Sequence, residues 1–302
     1  MTSAGVVTTT APTRPVRAQC QPCGVAVLAH AASTERRGPA RMDIVVCVKH
    51  VPDAQGDRGF DDTDWTTDRQ AVDGLMSELD EYPVEEALRI IEAGEGTLTV
   101  ITMGPDAAAD AVKKALQMGA DKGVHVNDEA LHGSDSVATS LVLAEAIKKV
   151  GQPDLVMFGM ASTDGAMSVV PAMVAERLGL PQVTLASELT VEGSSVTIRR
   201  DGDTATERIE ASLPAVVSVT DQTGNEPRYP SFKGIMAAKK KPVETWSLAD
   251  LGIEPAQVGL EAASTKVEQA TPRPPREQGT IVKDEGEGGT QLAEFLASKK
   301  FI

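Results

Sequence analysis

The chain has 302 residues and a formal net charge of −15. That acidity argues against a general nucleic-acid surface, because phosphates attract basic patches, and no window reaches the roughly 18–20 uninterrupted apolar residues of a membrane span. With two Trp, two Tyr and five Phe, the chain has too few aromatic faces to enclose a ring cofactor by itself. Three cysteines, Cys20, Cys23 and Cys47, do not make a disulfide framework in a chain of this size, so a reducing cytoplasm is the expected compartment.

Residues 1–41 differ from the rest. Five of the 29 basic residues and one of the 44 acidic ones lie there, which leaves 24 and 43 for the remainder. A transit peptide, a disordered tail and a working start at Met42 are all compatible with this composition. The last is favoured, because "MDIVVCVKHVPD" opens at once with a strand and then a turn at Pro52. Cys20 and Cys23 form a C-x-x-C pair without the second pair that a zinc site needs.

From Met42 the pattern is regular. "PVEEALRIIEAG" places Val84, Ala87, Leu88 and Ile91 on one helical face, with Pro83 at a first helical position and Gly94 as the stop. "TLTVITMG" reads as a strand. "PDAAADAVKKALQMGAD" is a helix from Pro105 to Gly119, and "KGVHVND" is the next strand. "SDSVATSLVLAEAIKKVG" is a helix opened by Ser134 and closed by Gly151. "DLVMFG" is a strand, and "SVVPAMVAERLG" a helix with Pro171 in its first turn. This alternation predicts an α/β fold: a doubly wound, mostly parallel sheet with helices on both faces. The continuous apolar runs of the strands suit burial on both sides. After Pro181, "TLASELTVEGSSVTIRRDGDTATERIEASLPAVVSV" predicts an antiparallel hairpin at the sheet edge, then a buried strand. Beyond about Leu251 an extended C-terminal arm is expected, a linker followed by a short helix at "QLAEFLASKK".

Ligands in such sheets sit beyond the carboxyl ends of the strands. The strand ends considered are "VKHVPD", "ITMGPD" and "VMFGMASTDGAMS". In the last, Gly159 ends the strand, Ser162, Thr163, Asp164 and Gly165 form a polar loop, and a helix N-terminus follows. That combination suits a phosphate, and Asp164 suits a ribose hydroxyl or a helix cap. A plain turn with an N-cap explains the same residues equally well. Neither GxGxxG nor GxxxxGK[ST] is present. His30, His50, His125 and His132 have no metal-ligand spacing, Cys47 reads as a core residue, and no nucleophile, base and oxyanion set assembles. "NEPRYPSFKGIMAAKKK" then leaves the sheet as an extended segment carrying Tyr229, Phe232, Ile235 and Met236 and ending in Lys239, Lys240 and Lys241.

With these residues in place, Met42 to Ile302 resembles the β subunit of electron transfer flavoprotein. The matching segments are "VCVKHVPD", "ELDEYPVEEALRI", "MGPDAAADAVKKALQMGADKGVHV", "STDGAMSVVPAMVAERLGLPQ", "LPAVVSV" and, most specifically, the N-E-P-R-Y segment before I-M and a lysine run. The resemblance implies a heterodimer with an α subunit that holds FAD chiefly in a mobile domain. It also implies a structural AMP on this subunit, at Cys47, Ser77, Glu78, Leu79, Asp80, Met103 and the loop Gly159, Met160, Ala161, Ser162, Thr163, Asp164, Gly165, Ala166, Met167, Ser168, Val169 and Val170. In bifurcating members a second FAD takes the place of AMP, and Ala166, Met167 and Ser168 depart from the family's glycine- or glutamine-containing loops.

On the same resemblance, Asn225 to Lys241 is the loop that docks partner dehydrogenases, with Phe232 as its apolar anchor and Tyr229, Ile235, Met236, Lys239, Lys240 and Lys241 as further docking residues. The implied role is an electron carrier without substrate chemistry of its own. It would take electrons from acyl-CoA and other dehydrogenases, as in fatty acid β-oxidation, and pass them to a membrane quinone oxidoreductase. A stand-alone adenine-nucleotide sensor similar to universal stress proteins is the alternative. The expected division is an extension over 1–41, an α/β domain over 42–252, and a partner-wrapping arm over 253–302.

Overall fold

The structure, a computed structural model, describes residues 41–271, 274 and 278–302. The expectations for the N-terminal extension up to residue 40, including the pair at Cys20 and Cys23, lie outside these residues.

The elements run β1 (Arg41–Cys47), β2 (His50–Pro52), β3 (Gly74–Met76), α1 (Glu78–Ala93), β4 (Glu95–Met103), α2 (Ala109–Met118), β5 (Lys122–Val126), α3 (Ser136–Val150), β6 (Leu155–Gly159), α4 (Val170–Leu178), β7 (Gln182–Ala186), β8 (Glu188–Glu192), β9 (Ser195–Asp201), β10 (Thr206–Ser212), β11 (Ala215–Val219), α5 (Phe232–Ala238), β12 (Val243–Trp246), α6 (Gly259–Ala262) and α7 (Gly288–Ser298). Seven strands form one sheet in the order β12-β5-β4-β1-β6-β11-β7, and every pairing in it is parallel.

The pleat of the central strands explains why both faces must be covered. Ile44 and Val46 of β1, Leu155 and Met157 of β6, and Val217 and Val219 of β11 point into one core, with Val84, Leu88, Val112 and Leu116 of α1 and α2. Their neighbours Val45, Cys47, Val156, Phe158 and Val216 point into the other, with Val142, Ile147 and Val174 of α3 and α4. Period-two side chains that are apolar at every position require a helix layer on each side. The doubly wound fold read from the sequence is the one observed.

Several boundaries differ from expectation. Helix α1 begins at Glu78, not Pro83, and carries Pro83 inside it. Glu78, Asp80 and Glu81 favour the positive end of the helix and draw the start back by a turn. Helix α3 is capped by Asp135, whose carboxylate accepts from the N–H groups of Val137 and Ala138, both at 3.0 Å, and not by Ser134. The predicted hairpin is present, but with β10 it forms a three-stranded antiparallel sheet of its own, β10-β9-β8. The inner residues Val196 and Ile198 join the first core. The edge of the main sheet on that side is instead β7, parallel to β11.

The segment after β11 is not extended throughout. Ser231 caps a short helix, α5, by accepting from the N–H of Gly234 at 3.0 Å. Gly234 lets α5 lie against α2, since a Cβ there would stand 2.5 Å from the carbonyl oxygen of Gln117. Strand β12, which has no clear signal in "PVETWS", pairs with β5 alone. The C-terminal segment first packs on its own chain, where Ile253 and Val258 are buried in the second core. Helix α7 stands in the predicted place, with Leu292 and Phe295 exposed. No helix among the described residues is long and apolar enough to cross a membrane.

Candidate functional site

The strand order reverses at β1, with β4 and β5 to one side and β6, β11 and β7 to the other. A crevice opens at such a point, because the chain leaves adjacent strands in opposite directions. A cleft of about 1500 Å³ lies there, walled by the ends of β1, β4, β5 and β6. Of the residues expected at a nucleotide site, Cys47, Asp80, Met103, Gly159, Ala161, Ser162, Gly165, Met167, Ser168 and Val170 line it. Ser77, Glu78, Leu79, Met160, Thr163, Asp164, Ala166 and Val169 do not. Ser77 is wholly buried behind the wall, and Glu78 faces solvent.

Asp80 ties the floor together. Its Oδ2 accepts from the backbone N–H of Lys49 at 2.7 Å, and the end of β6 presses against it. A Cβ on Gly159 would come within 2.5 Å of Asp80 Oδ1 and 2.7 Å of the Leu79 carbonyl oxygen, so only glycine lets α1 approach β6 so closely. Burial pushes the Asp80 carboxyl up to about 7, although hydrogen bonds from the backbone of Lys49 and Gly159 and the Lys49 charge pull the other way. Burial, with the Asp80 charge beside it, also drives the Cys47 thiol far above its ordinary range, so Cys47 is an unreactive wall residue.

Asp164 does not cap α4, which starts at Val170. Its Oδ1 meets Lys49 Nζ at 2.8 Å, and its Oδ2 lies 3.8 Å from Arg69. Burial opposes its charge, but the Lys49 ammonium and hydrogen bonds from Lys49, Ser162 and Gly165 hold the carboxyl below the usual range.

The loop that follows is shaped for an anion. Ala166 and Ser168 have φ of +50° and +58°. Ser168 is followed by Val169 at φ −98° and ψ −23°. Left-handed then right-handed residues turn successive N–H groups to one side. Among the described residues, the N–H groups of Met167, Ser168, Val169 and Val170 have no hydrogen-bond acceptor. Four such donors on one loop suit an anion such as a phosphate, and Lys49, paired with Asp164, lines the same cleft. Small Cys47 and the flexible Met103 line the floor, which leaves room for the rest of a mononucleotide.

Three wall segments had no place in the sequence reading. The loop after β5, from Asn127 to Ser136, lies at a strand end and was accessible to the same rule as the others. Lys49 stands in a strand-end stretch but was not singled out. The excursion between β2 and β3, which brings Phe60 to Ala71 to the wall, and the returning residues Thr265 to Val267 carry no motif. No cluster of His, Cys, Asp and Glu among the described residues is arranged to hold a metal ion.

The second region of interest is the segment after β11. Arg228 clamps it to α1. Its Nε meets Glu85 at 2.7 Å, and its NH1 and NH2 meet Glu92 at 2.5 and 3.0 Å. Asn225 donates to Glu86 at 2.7 Å. Beyond this clamp, Tyr229 is 96% and Phe232 81% exposed, Met236 is exposed, and Ile235 is half-buried. Lys239 and Lys240 face solvent, whereas Lys241 turns in and donates to the carbonyls of Leu116 and Gly119 at 2.9 and 3.0 Å, at the end of α2.

The pattern of the electron transfer flavoprotein domain matches residues 64–251. An electron transfer flavoprotein subunit beta of Mycobacterium tuberculosis is 47% identical over 265 residues, covering 86% of this chain and 99% of that protein. The chain belongs to the electron transfer flavoprotein β-subunit family. The subunit beta of Megasphaera elsdenii is 34% identical, over 86% of this chain and 100% of its own length. Also similar, at 34% identity over 85% of this chain and 97% of the relative, is subunit CarD of the caffeyl-CoA reductase-Etf complex of Acetobacterium woodii. Membership in this family makes the chain a subunit of a flavoprotein that transfers electrons, and implies a partner subunit.

Proposed function

We propose that this chain is the docking and nucleotide-holding half of a cytoplasmic heterodimeric electron carrier. It receives electrons from acyl-CoA and other dehydrogenases through FAD held chiefly by the α subunit, and the reduced pair passes them to a membrane quinone oxidoreductase. The observation that carries this reading is the rigidly clamped, outward-facing segment at Tyr229 to Met236. Tyr229, Phe232 and Met236 stand exposed together beyond a clamp that fixes their base, and clustered exposed apolar side chains mark interaction sites. Burying Phe232 in a partner pocket contributes about 1.5–3 kcal/mol, the scale of a transient contact.

The chain's own residues supply no substrate chemistry in this role. Cys47, Asp80 and Met103 shape the floor of the cleft, while the N–H groups of Met167 to Val170 and Lys49 hold a phosphate. An AMP held there would be a structural ligand, in a cleft walled by the ends of β1, β4 and β6. FAD supplies the redox chemistry when bound. The exposed residues of α7 suit it to wrap the α subunit. A stand-alone nucleotide sensor has no support from the family to which the chain belongs.

Phe232→Ala tests the docking role. It is expected to slow reduction of the heterodimer by an acyl-CoA dehydrogenase about tenfold or more, with FAD content unchanged. Equal rates for variant and wild type would remove Phe232 as the anchor.

A further inference from the structure

We propose that the indole of Trp65 is the stacking face for the purine base of the nucleotide in the cleft, an inference that rests on the nucleotide reading above. Residues 53–73 form the excursion between β2 and β3, and the pairing from His50↔Met76 to Pro52↔Gly74 holds its two stems together. The excursion is fastened on both sides of the strand ends. Arg58 donates to the carbonyls of Pro52, at 2.5 Å, and Thr163, and Arg69 donates to that of His50 at 3.1 Å. On the far side, Asp64 meets His132 Nε2 at 2.6 Å in the loop after β5. The excursion thus bridges the loop after β6 and the loop after β5.

Its tip has a defined conformation. Phe60 and Thr67 form an antiparallel bridge. Asp61 N–H donates to the Thr66 carbonyl at 2.8 Å, and Trp65 N–H donates to the Asp61 carbonyl at 2.9 Å. Trp65 is held at φ +60°, where a bulky side chain is a true outlier. Residues persist in that region only when their surroundings over-determine them, and such positions gather at ligand sites. Here the outcome is a half-buried indole in the cleft wall, in a chain with two tryptophans.

Charge gives the ligand its direction. The unpartnered N–H groups of Met167 to Val170 and the Lys49 ammonium lie at the β6 side and take the phosphate. The wall at the opposite side carries Asp61, Asp64, Asp128 and Asp135 against Lys266 and His132, while Arg69 of the same excursion reaches back to within 3.8 Å of Asp164 in the loop after β6. An anionic phosphate is repelled there, and a neutral base is not. Trp65 stands on that acidic side, with a π face of the kind on which nucleobases stack regardless of their identity. The phosphate end and the base end of one mononucleotide therefore match the two ends of the cleft.

The test measures AMP binding by titration calorimetry on the FAD-containing heterodimer from which nucleotide has been removed. Trp65→Ala is expected to weaken AMP binding by about tenfold or more. Trp65→Phe, which keeps a π face, is expected to stay within about threefold of wild type, whereas Trp65→Leu, which fills the space without one, should behave like alanine. A leucine variant that binds AMP as wild type does, or a phenylalanine variant as weak as alanine, overturns the stacking role and leaves the nucleotide reading intact. A wild-type heterodimer that binds no AMP overturns the nucleotide reading and this proposal together.

Discussion

Replacing Arg228 by alanine removes the clamp that holds the docking segment on α1. The guanidinium donates to Glu85 at 2.7 and 3.0 Å and to Glu92 at 2.5 and 3.0 Å. The two carboxylates are not equivalent: the Glu85 side chain is 6% exposed and that of Glu92 is 56%. The exposed pair contributes less than about 1 kcal/mol. The buried one dominates, because removing the arginine strands a carboxylate that has lost its water, at a cost of about 3–5 kcal/mol. We therefore expect Arg228→Ala to destabilise the chain by about 3 kcal/mol, a fall of about 6 °C in Tm for a domain of this size. Adding Glu85→Gln discharges the stranded group and should restore about half of the loss. Thermal unfolding of the purified heterodimer reads both changes, and the rate of reduction by a dehydrogenase reads the position of Phe232. A single variant within 1 °C or so of wild type, or a double variant no better than the single, would refute the buried-charge argument.

Asp80 gives a pH dependence of definite sign. Its carboxyl ionises near 7 in the fold against 3.8 as the ordinary value, so the folded state keeps a proton that the unfolded chain releases. Stability should fall as pH rises from about 4 to 7, by at most about 4 kcal/mol, and Asp80→Asn should flatten this slope in urea unfolding at successive pH values. An unchanged slope would count against a protonated Asp80. Lys241→Met removes two hydrogen bonds at the end of α2 and is expected to cost about 1–2 kcal/mol, whereas Lys240→Met at the exposed neighbour should be near neutral in the same melts. Denaturing the natively purified heterodimer should release AMP and one FAD, as chromatography of the supernatant would show; two flavins per heterodimer would assign the cleft to a second FAD.

How much of this was legible beforehand depends on the range of the interactions involved. The doubly wound sheet could be read because its determinants are local: the apolar runs of β1, β4, β6 and β11, and the caps and stops of the helices between them. The exposed character of Phe232 and the polar loop after Gly159 were legible for the same reason, since each is a short stretch with a composition of its own. Helix α5 was missed because the prolines of the segment suggested an extended chain, while the packing of α5 on α2 through Gly234 depends on where α2 lies.

The cleft wall shows the division most clearly. Sequence placed Met103 and the loop after β6 at strand ends, the family resemblance added Cys47, and the parallel topology forced those ends together. Only the tertiary structure could put Trp65 opposite them, because residues 53–73 carry no periodicity and are positioned by Arg58, Arg69 and Asp64 reaching partners 19 to 105 residues away. The Arg228 clamp is of the same kind, with carboxylates 136 and 143 residues distant. Hydrophobic periodicity is written along the chain and fixes which faces are buried. The partner of a charged side chain is decided only when folding brings distant segments within a few ångströms of one another.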